Sequence, residues 1–115
     1  MAYDELDEID VKRGWDIEGV DNSLMTILMA LGGATPDKHV RLVNLETLKN
    51  SWGSDYFSFY GGNRLQRVDE AVLLSDGRIY MIASVYGFAG TFAEEHDQRI
   101  DHHILTPKNW KKGNS

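Results

Sequence analysis

Val68-Asp69-Glu70-Ala71-Val72-Leu73-Leu74-Ser75-Asp76-Gly77-Arg78-Ile79-Tyr80-Met81-Ile82-Ala83-Ser84-Val85-Tyr86 is the longest apolar segment of this chain, and it carries its own reversal. An Asp-Gly pair between two β-prone runs lets the backbone take positive φ where it must turn, so the stretch predicts a β-hairpin. In the second arm Ile79, Met81, Ala83 and Val85 alternate with Tyr80, Ile82, Ser84 and Tyr86, and neither set is polar enough to face bulk water. This arm is expected to be a central strand covered on both faces, with Val72, Leu74, Ile79, Met81 and Ile82 buried. The flanking segments are short. The fold class they imply is α+β: one small domain over 1–115, with a mostly antiparallel sheet of four to five strands around the hairpin, one main helix on one face and a short N-terminal helix.

Working outward, Asp21-Asn22-Ser23 supplies three N-cap side chains ahead of Leu24-Met25-Thr26-Ile27-Leu28-Met29-Ala30-Leu31, and Gly32-Gly33 supplies a left-handed stop. Leu24, Ile27, Leu28 and Leu31 form the expected buried stripe, with Met25 and Met29 beside it as core filler. Thr35-Pro36-Asp37 has turn chemistry. His39 to Val43 alternates like a strand, and Asn44 is placed to cap one helical turn through Trp52. Tyr56 to Tyr60 and Arg99 to Leu105 read as further strands, the last ended by Pro107. Gly87 to Asp97 reads as a loop. The tail from Lys108 to Ser115 is polar except for Trp110, which is expected to fold back as a lid. Upstream, Tyr3, Leu6 and Ile9 recur every three residues, the spacing of a short helix, before Gly14 and Gly19 interrupt it.

The net charge of −6 is unevenly placed. Residues 1–21 hold Asp4, Glu5, Asp7, Glu8, Asp10, Asp16, Glu18 and Asp21 against Lys12 and Arg13, whereas residues 22–115 carry ten acids and ten bases. A basic face for direct nucleic-acid binding is therefore not expected, and a charged partner of this segment would present a basic surface. The absence of cysteine rules out disulfides, thiolate metal sites and a cysteine nucleophile. No apolar run has the length of a membrane span, and the N-terminus is acidic where a signal peptide would be basic, so a cytoplasmic protein is expected.

Glu94, Glu95, His96, Asp97, Asp101, His102 and His103 are the densest titratable cluster. Imidazoles and carboxylates together suit a divalent metal or acid-base chemistry, and His96, Asp101 and His103 would be the ligands. On a strand, however, Asp101 and His103 share one face and His102 takes the other. None of the spacings matches a known zinc pattern. The simpler reading is polar residues on an edge strand and its loop. Glycine pairs at Gly61-Gly62 and Gly87 to Gly90 lack the lysine and the strand-to-helix setting of a phosphate cradle, and no serine sits in a nucleophile elbow. The aromatic residues Tyr56, Phe57, Phe59 and Tyr60 lack interleaved basic residues, which favours a place in the sheet over base stacking.

The run Pro36-Asp37-Lys38-His39-Val40-Arg41-Leu42-Val43-Asn44-Leu45 resembles a Pro-Asp-x-x-Val-Arg-Leu-x-x-Leu segment of the staphylococcal type of uracil-DNA glycosylase inhibitor. In that family an acidic stretch follows a tryptophan and precedes a helix, as Trp15 to Asp21 does here, and an apolar strand-turn-strand and a final strand follow. This chain has a longer helix, fewer carboxylates in the acidic stretch and the added loop at 87–97. The resemblance implies a non-enzymatic acidic protein of a phage or mobile element that mimics DNA in the basic groove of an enzyme of a bacterial host, without a cofactor. On the charge distribution, Asp16, Glu18 and Asp21 would dock, Asp4, Glu5, Asp7 and Glu8 would steer, and Asp10 would belong to the same partner-binding segment. The alternative is a small hydrolase or nucleotide-binding protein using His96, His102 and His103.

Overall fold

The computed structural model describes residues 6–44, 56–59, 64–86 and 99–111. Within them lie strands β1 (Asp7–Asp10), β2 (Trp15–Val20), β3 (Pro36–Val43), β4 (Tyr56–Phe59), β5 (Arg64–Leu74), β6 (Ile79–Tyr86) and β7 (Arg99–Pro107), and the helix α1 (Leu24–Leu31). Six strands follow one hydrogen-bonded path, β1-β3-β5-β6-β7-β2, while β4 pairs with the first half of β5. The β1–β3 pair is parallel and the other pairs are antiparallel, so the sheet is mixed.

The expected hairpin is β5–β6, with Gly77 at φ 95 in the turn and the Leu74 and Gly77 amides closing it. Its strand β6 lies in the interior of the path, and Ile79, Met81 and Ala83 are fully buried. Asp69 is an extra residue opposite the Val68–Ala83 and Glu70–Ile82 pairs, a bulge whose carboxylate accepts from the Ser84 hydroxyl. The bulge turns Val68 to the inner face with Ala71 and Leu73, and leaves Glu70 outside with Val72 and Leu74.

Segment 7–20 closes the fold. β1 and β2 occupy opposite ends of the strand path, yet only Val11 to Gly14 separate them. A flat sheet of six strands would hold its edges about 24 Å apart. Five residue steps reach no more than about 18 Å. The sheet must therefore curl until its edges meet. The ladder bonds show where: the Val11 amide donates to Val43 O at 3.1 Å beside β3, and the Lys108 amide donates to Gly14 O at 2.9 Å beside β7. The chain thus changes neighbour across Lys12 and Arg13, and Arg13 takes the left-handed conformation at φ 61. Ile9, Trp15 and Ile17 of this segment line the same interior as Val11, Val40, Leu42, Met81 and Leu105.

Outside the curl, the end of α1 and the segment after it rest on Val20, Val72, Leu74, Tyr80 and Ile104 through Ala30, Leu31 and Ala34. Ser23 is its N-cap, accepting from the Thr26 amide, and Gly32 at φ 58 ends it, as the sequence predicts. The C-terminal carbonyls of Ala30 and Leu31 accept from the Arg78 guanidinium at 3.0 and 2.9 Å. The same guanidinium pairs with Asp76 at 2.7 Å and stands 4.9 Å from the Trp110 ring, whose indole N–H donates to Asp76 O at 2.7 Å. Trp110 does fold back, but onto the hairpin turn. Burial alone would push the Asp76 carboxyl up, and the Arg78 bonds outweigh it, holding the group below the ordinary carboxylate range.

Several expectations are corrected. The six-strand path exceeds the four to five strands expected, and β1 stands where the N-terminal helix was expected, because Ile9 and Val11 alternate inward and the β1–β3 ladder outweighs the three-residue spacing. The helix is rotated: Leu24 and Leu28 face water while Ile27, Ala30 and Leu31 turn toward the sheet, where the small Ala30 permits close approach. Thr35-Pro36-Asp37 makes no free turn. Pro36 opens β3 opposite Leu74, and the strand slips register before Lys38. Ile82 is partly exposed on the outer face. Strands β4 and β7 agree with expectation; the predicted turn after Asn44, the glycine turn at 61–63 and the loop at 87–97 lie outside the described residues.

These positions set the expected cost of truncation. Met81→Ala, in the fully buried interior, should lose about 2 to 5 kcal/mol in denaturant unfolding, and Ile82→Ala clearly less. Equal losses would place Ile82 in the core and contradict the outer-face assignment. Arg78→Met should cost about 3 kcal/mol, since it strands the Asp76 carboxylate and two helix carbonyls.

Candidate functional site

The acidic segment divides between the two closing strands. On β1, Asp7 pairs with Lys38, Glu8 lies 3.9 Å from Arg41, and Asp10 accepts from the Lys12 amide at 2.9 Å and from Asn44 at 3.1 Å. These three carboxylates are tied to cations and donors that fix the β1–β3 edge. On β2 the alternation turns Trp15 and Ile17 inward and leaves Asp16 and Glu18 exposed, opposite Thr106 and Ile104 on the outer face. No hydrogen bond or ion pair among the described residues engages Asp16 or Glu18. Two residues of strand put the two carboxylates about 7 Å apart on one side. Asp21 is exposed too, but its Oδ1 accepts from the Ser23 amide at 2.7 Å and shapes the entry to α1. Asp4 and Glu5 lie outside the described residues.

The histidine cluster is split by its strand. β7 runs between β6 and β2, so it is an interior strand and not the edge strand expected. His103 points inward at 3% exposure, level with Met81 and with Gly19, where a Cβ would sit 3.7 Å from the imidazole Nδ1. Burial pushes its pKa down to about 4; Asp101 pulls it partly back and His102 lowers it further. It is neutral at physiological pH. His102 faces outward, hydrogen-bonded through Nδ1 to the Tyr80 hydroxyl and stacked on that ring at 5.6 Å. The two imidazoles therefore serve opposite faces. No three His, Asp or Glu side chains among the described residues converge as a metal site requires, and His96 lies outside those residues.

The outer face also holds a groove of about 210 Å³ lined by Pro36, His39, Glu70, Val72, Tyr80 and Ile82. His39 Nε2 meets Glu70 Oε2 at 2.7 Å along one wall. Burial raises the Tyr80 phenol above its ordinary value and the Glu70 charge adds to the effect, so the phenol stays protonated. The walls are mostly aliphatic or aromatic, with one carboxylate–imidazole pair and one phenol, a lining that suits a small planar ligand better than a charged one. The sequence reading did not assemble this groove. Its residues come from three strands, and the detectable signal was Asp69-Glu70 inside an otherwise apolar run.

No described helix is long and apolar enough to cross a membrane. Comparison with protein families, with characterised proteins and with solved structures finds no match for this chain.

The buried imidazole generates a pH dependence with a definite sign. His103 has a folded pKa near 4, below the ordinary 6.5, so the unfolded chain binds the extra proton in between. Its contribution to stability is intact above about pH 6.5 and declines as the pH falls toward 4, by about 3 kcal/mol in total. Urea unfolding at pH 7, 5.5 and 4.5 should show the decline, and His103→Leu should flatten it. A wild-type stability independent of pH over this window would contradict a buried neutral His103.

Proposed function

We propose that this chain is a non-enzymatic acidic binding protein, an inhibitor of the kind mobile elements use, which occupies the basic groove of a nucleic-acid-processing enzyme. One observation carries this reading: Asp16 and Glu18 stand exposed on one face of a closing strand, while the β1 carboxylates beside them are already matched by Lys38, Arg41 and Asn44. Carboxylates held at strand spacing on a rigid sheet offer an arginine- or lysine-lined groove the charge pattern of an extended phosphate backbone, with little ordering left to do on binding. The resemblance of Pro36 to Leu45 to uracil-DNA glycosylase inhibitors supports the same class of target. The docking set is narrower than the acidic segment as a whole. Asp16 and Glu18 dock, Asp21 acts mainly by capping, and Asp7, Glu8 and Asp10 contribute to the long-range field.

Surface plasmon resonance on immobilised bacterial uracil-DNA glycosylase, at two salt concentrations, tests this. Binding should weaken with salt, and Asp16→Asn with Glu18→Gln should weaken it roughly tenfold per charge, at about 1.5 kcal/mol for each close pair. Unchanged affinity in the double variant would remove this face from the interface. Absence of binding would remove the glycosylase as target, and pull-down from a bacterial lysate would then be the route to another.

A further inference from the structure

The outward side of α1 is apolar over two full turns. Leu24, Met25, Leu28 and Met29 are 71%, 68%, 53% and 73% exposed, and Ile100, whose carbonyl accepts from Asn22 at 2.6 Å beside the helix start, is 42% exposed. Isolated exposed apolar residues are ordinary, but five at one place form a surface that water does not favour. We infer that this ridge is a self-association surface, on which a second copy of this chain packs its own α1 antiparallel to the first.

Three features select a second copy as the occupant. Leu24–Leu28 and Met25–Met29 are two i, i+4 rows with one groove between them, and packing a row of one helix into the groove of another is the commonest way helices pair. The same strip on both copies makes the contact isologous, so it closes at two chains. No charged residue occurs between Asn22 and Pro36, so nothing on the helix itself opposes contact with its duplicate, and antiparallel helix dipoles attract. At roughly 100 Å² of apolar surface per side chain, five residues bury about 500 Å² on each copy. The pair then buries about 1,000 Å², the lower limit for a specific interface and the size of a weak, reversible dimer.

Charge gives the inference its own signature. Asp16 and Glu18 stand on the outer face of β2, Glu18 opposite the strand residue Ile104 that packs with the helix end, so two copies bring four carboxylates toward one another. Self-association should strengthen as salt screens them, whereas capture of a basic partner by the same carboxylates weakens with salt.

The test is the mass of the full chain by sedimentation equilibrium from about 10 μM to about 1 mM, at low and high salt. The expected result is a rise from one chain to two and no further, shifted to lower concentration by salt and by Asp16→Asn with Glu18→Gln. Met25→Lys with Met29→Lys should hold the mass at one chain with circular dichroism and Tm unchanged, and Met25→Gln with Met29→Gln should weaken the dimer partway. A mass of one chain at about 1 mM would assign the ridge to a different partner and overturn the inference. So would a two-chain mass that the lysine variant preserves, or growth beyond two chains.

Discussion

The guanidinium of Arg78 ties together three pieces of the structure: the hairpin turn, the end of α1 and Trp110. It donates to the Asp76 carboxylate across the hairpin turn and to the last carbonyls of α1, and offers its face to Trp110. No residue of α1 is fully buried, so the helix depends on this anchor more than most helices do. A lysine could supply the charge, but not two carbonyl bonds, a carboxylate bond and a flat cation against an indole at once. The position of the helix on the outer face, and with it the exposed ridge, depends on that side chain together with the packing of Ala30 and Leu31.

The uneven charge of the sequence has a structural counterpart. β1 brings its carboxylates to a neighbour, β3, that carries Lys38 and Arg41, and these pairs sit at the parallel edge, where the sheet closes. β2 lies against β7, whose outward residues opposite Asp16 and Glu18 are Thr106 and Ile104 and offer no cation. One run of acidic residues thus becomes a fastened edge and an open face, and the division is made by strand pairing alone.

What could be read from the sequence was local. The Asp-Gly turn, the Ser23 cap, the Gly32 stop and the alternation of β6 and β7 each depend on residues within a few positions of one another. What escaped depends on distant partners. Asp7 to Asp10 is a strand because Val40 to Val43 lies beside it, and without that neighbour the spacing of Leu6 and Ile9 suits a helix equally well. Leu24 and Leu28 have the pattern of a buried stripe, and only the anchoring of Ala30 and Leu31 turns them outward. The candidate site was legible in part: Asp16 and Glu18 could be identified by charge, but their separation from Asp7, Glu8 and Asp10 could not. The pairing of His39 with Glu70, 31 positions apart, left no local trace.

The closure of the sheet by residues 7–20 bears on how the chain is made. β2 has its ladder partner in Arg99–Pro107, so during synthesis β2 must wait until β7 has been made. Until then the inward-facing Ile9, Val11, Trp15 and Ile17 lack the cover of Leu105, and the nascent chain carries an open apolar trough. The negative charge of residues 1–21 opposes contact between two such chains, because like-charged segments repel while their cores are still incomplete. The same carboxylates that are proposed to meet a basic partner thus also bear on how chains with unfinished cores meet one another.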